Sequence, residues 1–516
     1  MKQTIKLLLF TILLLMLAAC GNNENDDSAS ETDNAKDTAA KAAGNDTTLQ
    51  IAMKSEIDSL DPYQASATDT EIMMNNVFDG LFDSDENGEL VPNLATDYEV
   101  SEDNLTYTFT LVDNAVFHNG ESLTAEDVVY SYSKLAGLET GEPMSDKWAV
   151  VENVEATGEY EVEVTLKNVD SGFLARTIAA IVPADYEEQD THPIGAGPFK
   201  FVEYKVSQEL VLERNDDYYM EDKVPEVAEV HFAIMPDTQT AVLAMQSGEI
   251  DIIPGVGEQE LAQLGEDVTT LSGPQNMPVI FGLNHEVEPL DDINVRKAIN
   301  MAINKEEIMD TVMQGHATRI DSNFSPAMAF FYDDSVEGYY DYDIEAAKDL
   351  LAEAGYPEGF DLSMTVPSHA TLYTDLAQIV ADQLGQVGIN LTLEPVEWST
   401  WLEQVYTEFN YESTIIGLTG KIDPYDVLVR FVEGYSHNFI NYNNSEYNEA
   451  IDNATLETDD NKRADYYKEA QRILTEDAAS VFIMDPDSTI AMREGITGLS
   501  LYPIGKLNLE DITVAE

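Results

Sequence analysis

Residues 94–134 read LATDYEVSEDNLTYTFTLVDNAVFHNGESLTAEDVVYSYSK and combine a strand signal with a helix signal. Residues 105–111 alternate apolar and polar side chains, which is typical of a strand with one face in water. Thr124 can cap the helix that follows, and Asp127 occupies the capping-box position, where Glu or Gln is more usual. A strand followed closely by a capped helix favours a mixed α/β fold.

Strand and helix signals alternate on both sides of this stretch. Residues 160–166 and 209–213 repeat the two-residue alternation, so we expect strands there. Amphipathic helices are predicted for residues 294–314 (as a pair), 344–354 and 373–387, the last two ended by Gly355 and Gly388.

Residues 83–88, Asp-Ser-Asp-Glu-Asn-Gly, match the first half of a calcium-binding loop. The twelfth position of such a loop needs a bidentate Glu, and here it is Leu94. We therefore expect a β-hairpin instead, with Asn87 and Gly88 supplying the positive φ angles of a tight type I′ turn.

The chain has 516 residues, with 98 acidic and 26 basic side chains and a net charge of −72. It is too long for one simple core, so two or three lobes are expected. So strong a negative charge excludes nucleic acid as a partner, because phosphate binding requires basic patches. The acidity reflects either adaptation to high salt or high pH, or an electric field that gathers cationic ligands.

The N-terminal region has the pattern of an export signal. Lys2 and Lys6 precede an apolar run at 7–17, which is too short to span a membrane and fits a signal peptide over residues 1–19. Cys20 follows small residues and is the only cysteine in the sequence, as in a bacterial lipobox, where the thiol receives lipid. Residues 20–48 then form an acidic tether without large apolar side chains, which predicts disorder. We expect a lipid anchor on the outer face of the cell membrane.

Catalytic and metal-binding patterns are absent from the sequence. There is no glycine-rich phosphate loop, no HExxH and no GxSxG, and the seven histidines are scattered singly. Carboxylates are so numerous that no pair stands out as a general acid and base. We therefore predict no catalytic residues, no enzyme activity, no cofactor and no metal site.

Several segments together resemble the extracytoplasmic solute-binding proteins of peptide, opine and nickel ABC importers, family 5 of the bacterial extracellular solute-binding proteins. The most specific is the stretch at 94–134, with F-H-N-G and L-T-A-E-D-V ahead of a helix. Other landmarks follow in the family's order at residues 57–62, 77–81, 193–200, 213–218, 245–251, 294–299, 347–360 and 417–428. Chance does not place so many landmarks in one order.

The resemblance implies an α/β fold of the type II periplasmic-binding-protein kind, a two-lobed clamp that closes on its ligand. Lobe I is expected to comprise residues 49–74, 185–284 and 485–516, with an extra subdomain inserted at 75–184. Lobe II is expected at residues 285–484. Two strands that cross between the lobes would form the hinge.

The resemblance also implies ligand-binding residues. In the family, an acid in an Asp-Pro loop pairs with the ligand's α-ammonium, and Asp423 occupies that place here. Gly420 would let the backbone approach the ligand, and Lys421 or Arg430 would bind a ligand carboxylate. His369 stands where the dipeptide-binding branch often has arginine, which leaves both a peptide and a metal chelate open as the ligand.

Aromatic side chains would enclose the apolar parts of the ligand. The candidates are Tyr63, Trp148, Trp398, Trp401 and Tyr442. Trp398 and Trp401 are three positions apart and share a face if helical. Trp398 directly follows a predicted strand end, which favours it for the cleft.

The function implied is the lipid-anchored binding component of an ABC importer, a monomer that captures di- to oligopeptides by hinged closure and delivers them to permease subunits. One alternative is a binder of a nickel chelate or an opine-type metallophore, which a cleft histidine such as His369 would favour. Another is a surface lipoprotein that senses peptides. A surface hydrolase would need a nucleophile and a base, and the sequence shows no such pair.

Overall fold

The structure is a computed structural model that describes residues 47–65, 67–265, 267–368 and 370–515. The predicted signal peptide, Cys20 and nearly all of the predicted tether lie outside these ranges, and so does His369. Strands and helices alternate along the described part of the chain.

The described chain forms 20 strands and 13 α-helices. The strands are β1 (Thr48–Met53), β2 (Phe82–Ser84), β3 (Leu90–Pro92), β4 (Ala95–Val100), β5 (Thr106–Leu111), β6 (Val151–Gly158), β7 (Glu161–Leu166), β8 (Phe199–Lys205), β9 (Glu209–Arg214), β10 (Glu229–Ile234), β11 (Ile252–Ile253), β12 (Val268–Pro274), β13 (Val279–Leu283), β14 (Ala317–Arg319), β15 (Asp361–Pro367), β16 (Asn390–Val396), β17 (Ser413–Gly417), β18 (Ser480–Arg493), β19 (Ile496–Thr497) and β20 (Thr513–Val514). The helices are α1 (Thr68–Met74), α2 (Ala125–Ala136), α3 (Phe173–Arg176), α4 (Thr238–Ser247), α5 (Glu258–Leu261), α6 (Ile293–Ala302), α7 (Lys305–Val312), α8 (Ile344–Glu353), α9 (Thr371–Gly385), α10 (Trp398–Trp401), α11 (Pro424–Leu428), α12 (Ser445–Leu456) and α13 (Asp460–Glu476). Short 3₁₀ helices lie at Asp146–Val150, Glu221–Lys223, Asp334–Val336, Val429–Phe431 and Leu509–Asp511, and a π-helical turn lies at Leu402–Thr407.

Twelve of the described strands form one continuous sheet. Its order is β16-β15-β17-β13-β18-β11-β1-β10-β9-β8, and β12 and β14 also pair with β18. The first part of β18, up to Pro486, pairs with β13 and β14, and the second part, from Asp487, pairs with β12 and β11. The strand therefore belongs to both halves of the sheet, of which β8 to β12 with β1 form lobe I, and β13 to β17 form lobe II.

Two segments pass between these halves: β18, and residues 275–278 between β12 and β13. Asp485, on β18 at the crossing, accepts hydrogen bonds from the backbone N–H groups of Gln275 (3.3 Å) and Met277 (3.0 Å) and from the hydroxyl of Ser325. Burial raises the pKa of Asp485 to about 6. The carboxyl group thus joins the two crossing segments side by side, in the position of a hinge.

A separate antiparallel sheet, in the order β4-β5-β7-β6, packs against α2. Asp127 accepts the backbone N–H of Thr124 at the start of α2, so the predicted capping box is present. The apolar side chains between this sheet and α2, among them Phe109 and Tyr132, form a core of their own. This unit is the subdomain inserted into lobe I.

The strands and helices predicted from the sequence are confirmed. Residues 105–111, 160–166 and 209–213 form β5, β7 and β9, while the helices predicted at 294–314, 344–354 and 373–387 are α6 with α7, α8 and α9. Gly355 and Gly388 have φ angles of 95° and 86°, the left-handed conformation in which helices commonly end.

β2 and β3 form the hairpin predicted around residues 83–88, but the prediction of a type I′ turn is wrong. Such a turn needs two successive positive φ angles, and only Gly88 has one, of 80°. Oδ1 of Asp85 accepts the backbone N–H groups of Asn87 (2.9 Å) and Glu89 (2.8 Å). The Asp85 side chain therefore organises the turn, and Asn87 keeps an ordinary backbone conformation.

Each lobe has its own apolar core. All five residues of β13 are buried in lobe II, where α6, α9 and α13 pack around the sheet, and β1, β9 and β10 contribute to the core of lobe I. The predicted fold class, a two-lobed α/β clamp with an inserted subdomain, is thereby confirmed. None of the helices in the described ranges combines the length and the apolar character that crossing a bilayer requires.

Candidate functional site: the cleft between the lobes

A cavity of about 700 Å³ lies between the two lobes. Its walls come from α1, the subdomain at 172–180, the hinge near Gln275, the loop at 419–423 and the C-terminal segment at 501–507. This volume falls within the roughly 300–1,000 Å³ that is usual for small-ligand sites. We refer to it as the cleft cavity.

Asp423, the acid of the predicted Asp-Pro loop, lines the cleft cavity. Its Oδ1 caps α11 by accepting the N–H of Tyr425 at 3.0 Å, and Pro424 stands at the first helical position, where a missing N–H costs nothing. The same oxygen accepts a hydrogen bond from Nη2 of Arg463 at 2.7 Å. The exposed fractions of the two side chains are only 9% and 7%, so a buried guanidinium fixes the acid from behind.

The other oxygen of Asp423, Oδ2, faces Gly172 of the subdomain. A Cβ atom on Gly172 would lie 2.0 Å from Oδ2, so only glycine fits here while the two parts are in contact. Ser171 donates from its backbone N–H to the carbonyl of Thr455 (3.0 Å) and from its hydroxyl to that of Ala454 (2.8 Å). The subdomain and lobe II therefore touch directly beside the acid.

Gly420 and Lys421 also line the cleft cavity. A Cβ atom on Gly420 would lie 2.1 Å from Oδ1 of Asn276, and the Gly420 N–H donates to the Asn276 carbonyl at 2.7 Å. Asn276 is a hinge residue with φ of 58°, and its side-chain amide donates to the carbonyl of Pro503 at 2.9 Å. The glycine thus ties the Asp-Pro loop to the hinge, and its approach to ligand stays a prediction.

Opposite charges meet across the cleft. Lys147 of the subdomain forms an ion pair with Asp426 on α11 of lobe II. Burial raises the pKa of Glu71 on α1, and the nearby ammonium of Lys421 opposes that rise. The ion pair between Lys147 and Asp426 joins the lobe I side of the cleft to the Asp-Pro loop region.

Two further basic residues line the cavity on the lobe I side. Nη2 of Arg176 lies 2.8 Å from Oδ2 of Asp170. Lys506, from the C-terminal segment, forms an ion pair with Asp83, and its ammonium lies 4.8 Å from the centre of the Tyr502 ring. Each of these basic groups thus has an acid beside it.

Four basic residues at or behind the cleft carried no motif in the sequence: Lys147, Arg176, Lys506 and Arg463. They are distant in sequence from the Asp-Pro loop, and only the fold brings them to it. The sequence contained one signal for Arg463, because this residue shares the buried face of α13 with Tyr467 and Leu474. A charged residue on such a face needs a partner.

The predicted aromatic residues of the first lobe pack into its core. Trp148 contributes to the cavity wall but is almost fully buried, with its ring centroid 4.9 Å from that of Tyr132. Tyr63 is not among the lining residues, and its hydroxyl donates to the carbonyl of Ala180 at 2.7 Å. Ligand contact by either residue stays a prediction.

The predicted aromatic residues of lobe II are not among those found to line the cavity. Trp401 is buried and donates from Nε1 to the hydroxyl of Thr414 at 2.8 Å, while Trp398, 39% exposed, stacks on it with centroids 5.1 Å apart. Tyr442 is buried, and its hydroxyl donates to Asp477 at 2.8 Å. Each has a packing or hydrogen-bonding role in the lobe, and its predicted ligand contact stays untested.

Arg430 lies in the short helix Val429–Phe431 and is not among the residues found around the cavity. Its Nη1 is buried without a hydrogen-bond partner in the part of the chain that the structure describes. His369 lies outside that part, so its role stays a prediction. Within the described ranges, no three His, Cys, Asp or Glu side chains are grouped as they would be around a metal ion.

Two α/β lobes, a two-segment hinge and a cavity between them define a ligand-binding protein of the type II periplasmic class. The sequence profile of the bacterial extracellular solute-binding proteins, family 5 (middle part), matches residues 89–439. The chain belongs to this family, as the match covers more than half of its length.

Relatives with the same sequence identity to this chain are named for different ligands. The oligopeptide-binding protein AppA of Bacillus subtilis is 27% identical over 509 residues, which cover 92% of this chain and 93% of that protein. Heme-binding protein A of Haemophilus influenzae is also 27% identical, over 521 residues that cover 93% of this chain and 94% of that protein. The solved structure of HbpA2 from Haemophilus parasuis superposes with a TM-score of 0.83 at 23% identity, covering 91% of this chain and 100% of that one.

Proposed function

We propose that this protein is the lipid-anchored binding component of an ABC importer and that it captures short peptides. The observation that carries the proposal is the cleft cavity, to which both lobes contribute and at whose edge Asp423 keeps one carboxylate oxygen unbonded to Arg463. A fixed acceptor at one end of a cavity can bond the terminal nitrogen of a peptide and so set its register.

The cavity wall suits a ligand that has both amide groups and apolar side chains. Apolar residues such as Ile72, Phe78 and Ile178 line it together with the loop at 419–421 and the segment at 503–505. Ligand sites typically combine such apolar surface with a few fixed polar groups. The name of AppA, an oligopeptide-binding protein, agrees with this reading of the wall.

Capture would need no chemical step. Rotation about residues 275–278 and about β18 near Pro486 would open and close the cleft, and a ligand that contacts both lobes favours the closed population. The direct bonds from Ser171 to lobe II lie beside Asp423, so closure and ligand contact would occur at the same place. A permease subunit would then recognise the closed form.

Lipid on Cys20, with residues 21–48 as tether, would keep the binder beside its permease as a monomer. Changing Cys20→Ala should move the protein from the membrane fraction to the medium, measured by fractionation of cells that express the full chain. A matched control is Ser28→Ala in the tether, which should stay with the membrane. Retention of the Cys20→Ala protein would contradict lipid anchoring.

The alternative of a metallophore binder finds less support in the cleft. No His or Cys stands among the described residues around the cavity, so the wall offers oxygen and nitrogen donors of other kinds. His369, outside the described residues, keeps this alternative open. A peptide-sensing lipoprotein would bind the same ligands and differ only in its partner.

The ligand class can be tested by identifying the molecules that stay bound to the protein during purification. The soluble part from residue 49 is purified, unfolded in denaturant, and the released material is examined by mass spectrometry. We expect a mixture of short peptides. A single metal complex would favour the metallophore reading, and conversion of added peptides into fragments would contradict a pure binding role.

A further inference from the structure

The acid that faces the ligand is one half of a buried ion pair. Nη2 of Arg463 is 2.7 Å from Oδ1 of Asp423, and the guanidinium carbon lies 5.7 Å and 5.4 Å from the ring centres of Phe331 and Tyr467. Arg463 is not among the residues around the cavity, so it acts on a ligand only through Asp423. The charge of Asp460, at the start of α13, also acts on Arg463.

The other charged groups of the cavity wall are balanced in the same way. Arg176 is paired with Asp170, Lys506 with Asp83, and Lys147 with Asp426. Lys421 lies near Glu71. Each of the basic residues Lys147, Arg176, Lys421 and Lys506 of the cavity wall thus has an acid near it.

We propose, on the basis of the peptide-binding function above, that Asp423 recognises the ligand's terminal group as a hydrogen-bond acceptor within a neutral ion pair. Its one remaining oxygen, Oδ2, offers a bonding direction but little net negative charge. The cleft therefore accepts peptide-like ligands that end in an uncharged donor, such as a hydroxyl, as well as those that end in an ammonium group.

The physical reason is the repulsion between two cations that share one carboxylate. A ligand ammonium on Oδ2 would lie only a few ångströms from the Arg463 guanidinium, in a region from which water is largely excluded. There, charges interact more strongly than in water, so the repulsion offsets much of the attraction to Asp423. A hydroxyl keeps the hydrogen bond and avoids the repulsion.

The test uses three peptides of identical sequence that differ only at the N-terminal substituent: ammonium, hydroxyl (an α-hydroxy acid) or hydrogen. Their affinities for the wild-type protein are measured by calorimetry at neutral pH. We expect the ammonium and hydroxyl peptides to differ by less than tenfold, and the peptide with hydrogen to bind at least tenfold more weakly. A preference of tenfold or more for ammonium, or equal binding of all three, would overturn the inference.

Arg463 is a positioning residue in this scheme, and two variants separate its charge from its packing. In Arg463→Met the neutral pair is lost, so the preference for ammonium over hydroxyl should rise to tenfold or more. In Arg463→Lys the charge remains, and the preference should stay below tenfold. A preference that is the same in Arg463→Met as in the wild type would also overturn the inference.

Failure of the inference and failure of the proposed function give different results. If the wild-type protein binds none of the three peptides, and none of a mixed set of di- to nonapeptides, then peptide capture itself is wrong. If peptides bind with the wrong order of preference, only the role of the ion pair is wrong. Should Arg463→Met fail to fold, the affinities of the three peptides for the wild type and for Arg463→Lys still test the inference.

Discussion

Asp321 and Asp423 are buried carboxylates of lobe II with basic partners, and they differ in what the second carboxylate oxygen does. Asp321 forms ion pairs with Lys305 and Arg319 and accepts the backbone N–H of Gly338, so both of its oxygens are bonded within the lobe. Oδ1 of Asp423 accepts hydrogen bonds from Tyr425 and Arg463, while Oδ2 faces the subdomain and the cavity. Both carboxylates are buried and both are paired with a base, so neither burial nor ion pairing identifies a ligand site.

The difference shows what separates a structural acid from a candidate binding acid in so acidic a protein. At Asp321 every acceptor is satisfied by side chains and backbone from the same lobe, which leaves nothing for a ligand. At Asp423 the remaining oxygen lies where the subdomain meets lobe II, next to a glycine that leaves room for it. An acceptor left unbonded where two parts of the fold meet is therefore the feature that marks Asp423 as a candidate site residue.

The largest expected effect comes from breaking the structural pair. Lys305→Met removes a buried ammonium and leaves the Asp321 carboxylate with Arg319 alone, so the free energy of unfolding should fall by about 3 kcal/mol in urea denaturation. Lys348→Met is the matched control, because its pair with Glu345 is exposed and should contribute less than about 1 kcal/mol. Equal losses in the two variants would contradict the structural role of Asp321.

A second prediction concerns Asp485, a buried carboxyl that has only neutral donors around it. Its pKa is raised to about 6 by burial, against about 3.9 in an unfolded chain, so the native state holds a proton that the unfolded state has lost. This group should therefore make the free energy of unfolding fall, by about 2 kcal/mol, as pH rises from 4 to 6.

Asp485→Asn should remove that contribution while keeping an oxygen acceptor for the hinge amides. The measurement is the difference between wild type and variant in urea denaturation at pH 4 and at pH 7. The variant should gain stability relative to the wild type at the higher pH. A difference that does not change with pH would show that Asp485 does not titrate in this range.

The smallest expected effect tests the boundary beside Asp423. Gly172→Ala would place Cβ 2.0 Å from Oδ2, and Arg463 prevents the acid from turning away, so the contact must open. We expect peptide affinity to fall about tenfold, which is about 1.4 kcal/mol. Gly385→Ala, at a helix end with no heavy atom within 4 Å, is the control and should leave affinity unchanged. Unchanged affinity in Gly172→Ala would mean that this contact plays no part in the bound state.

Local signals made much of the fold predictable. The alternation in β5 and the cap of α2 depend on neighbouring residues, so the stretch at 94–134 could be read correctly without the rest of the chain. The prediction of the turn type between β2 and β3 was wrong for an equally local reason. The Asn-Gly pair suggested a type I′ turn, whereas the side chain of Asp85 supplies the bonds that decide its geometry.

The site was predictable only where a motif marked it. Asp423 was found through its Asp-Pro loop, but its partner Arg463 is 40 residues away and meets it only because the fold places the start of α13 beside the N-terminal cap of α11. Gly420 was expected to make room for ligand, and its close neighbour is Asn276 of the hinge, on another segment. Such contacts depend on tertiary packing, which single-sequence patterns do not encode.

The shared strand β18 also has a consequence for the order in which the chain folds. β12 and β14 find their described sheet partner only in β18, which comes near the C-terminus and also joins β11 to β13. Because synthesis proceeds from the N-terminus, both lobes stay incomplete until almost the whole chain exists. A chain emerging from the ribosome therefore lacks a finished sheet while the residues before β18 are being synthesised.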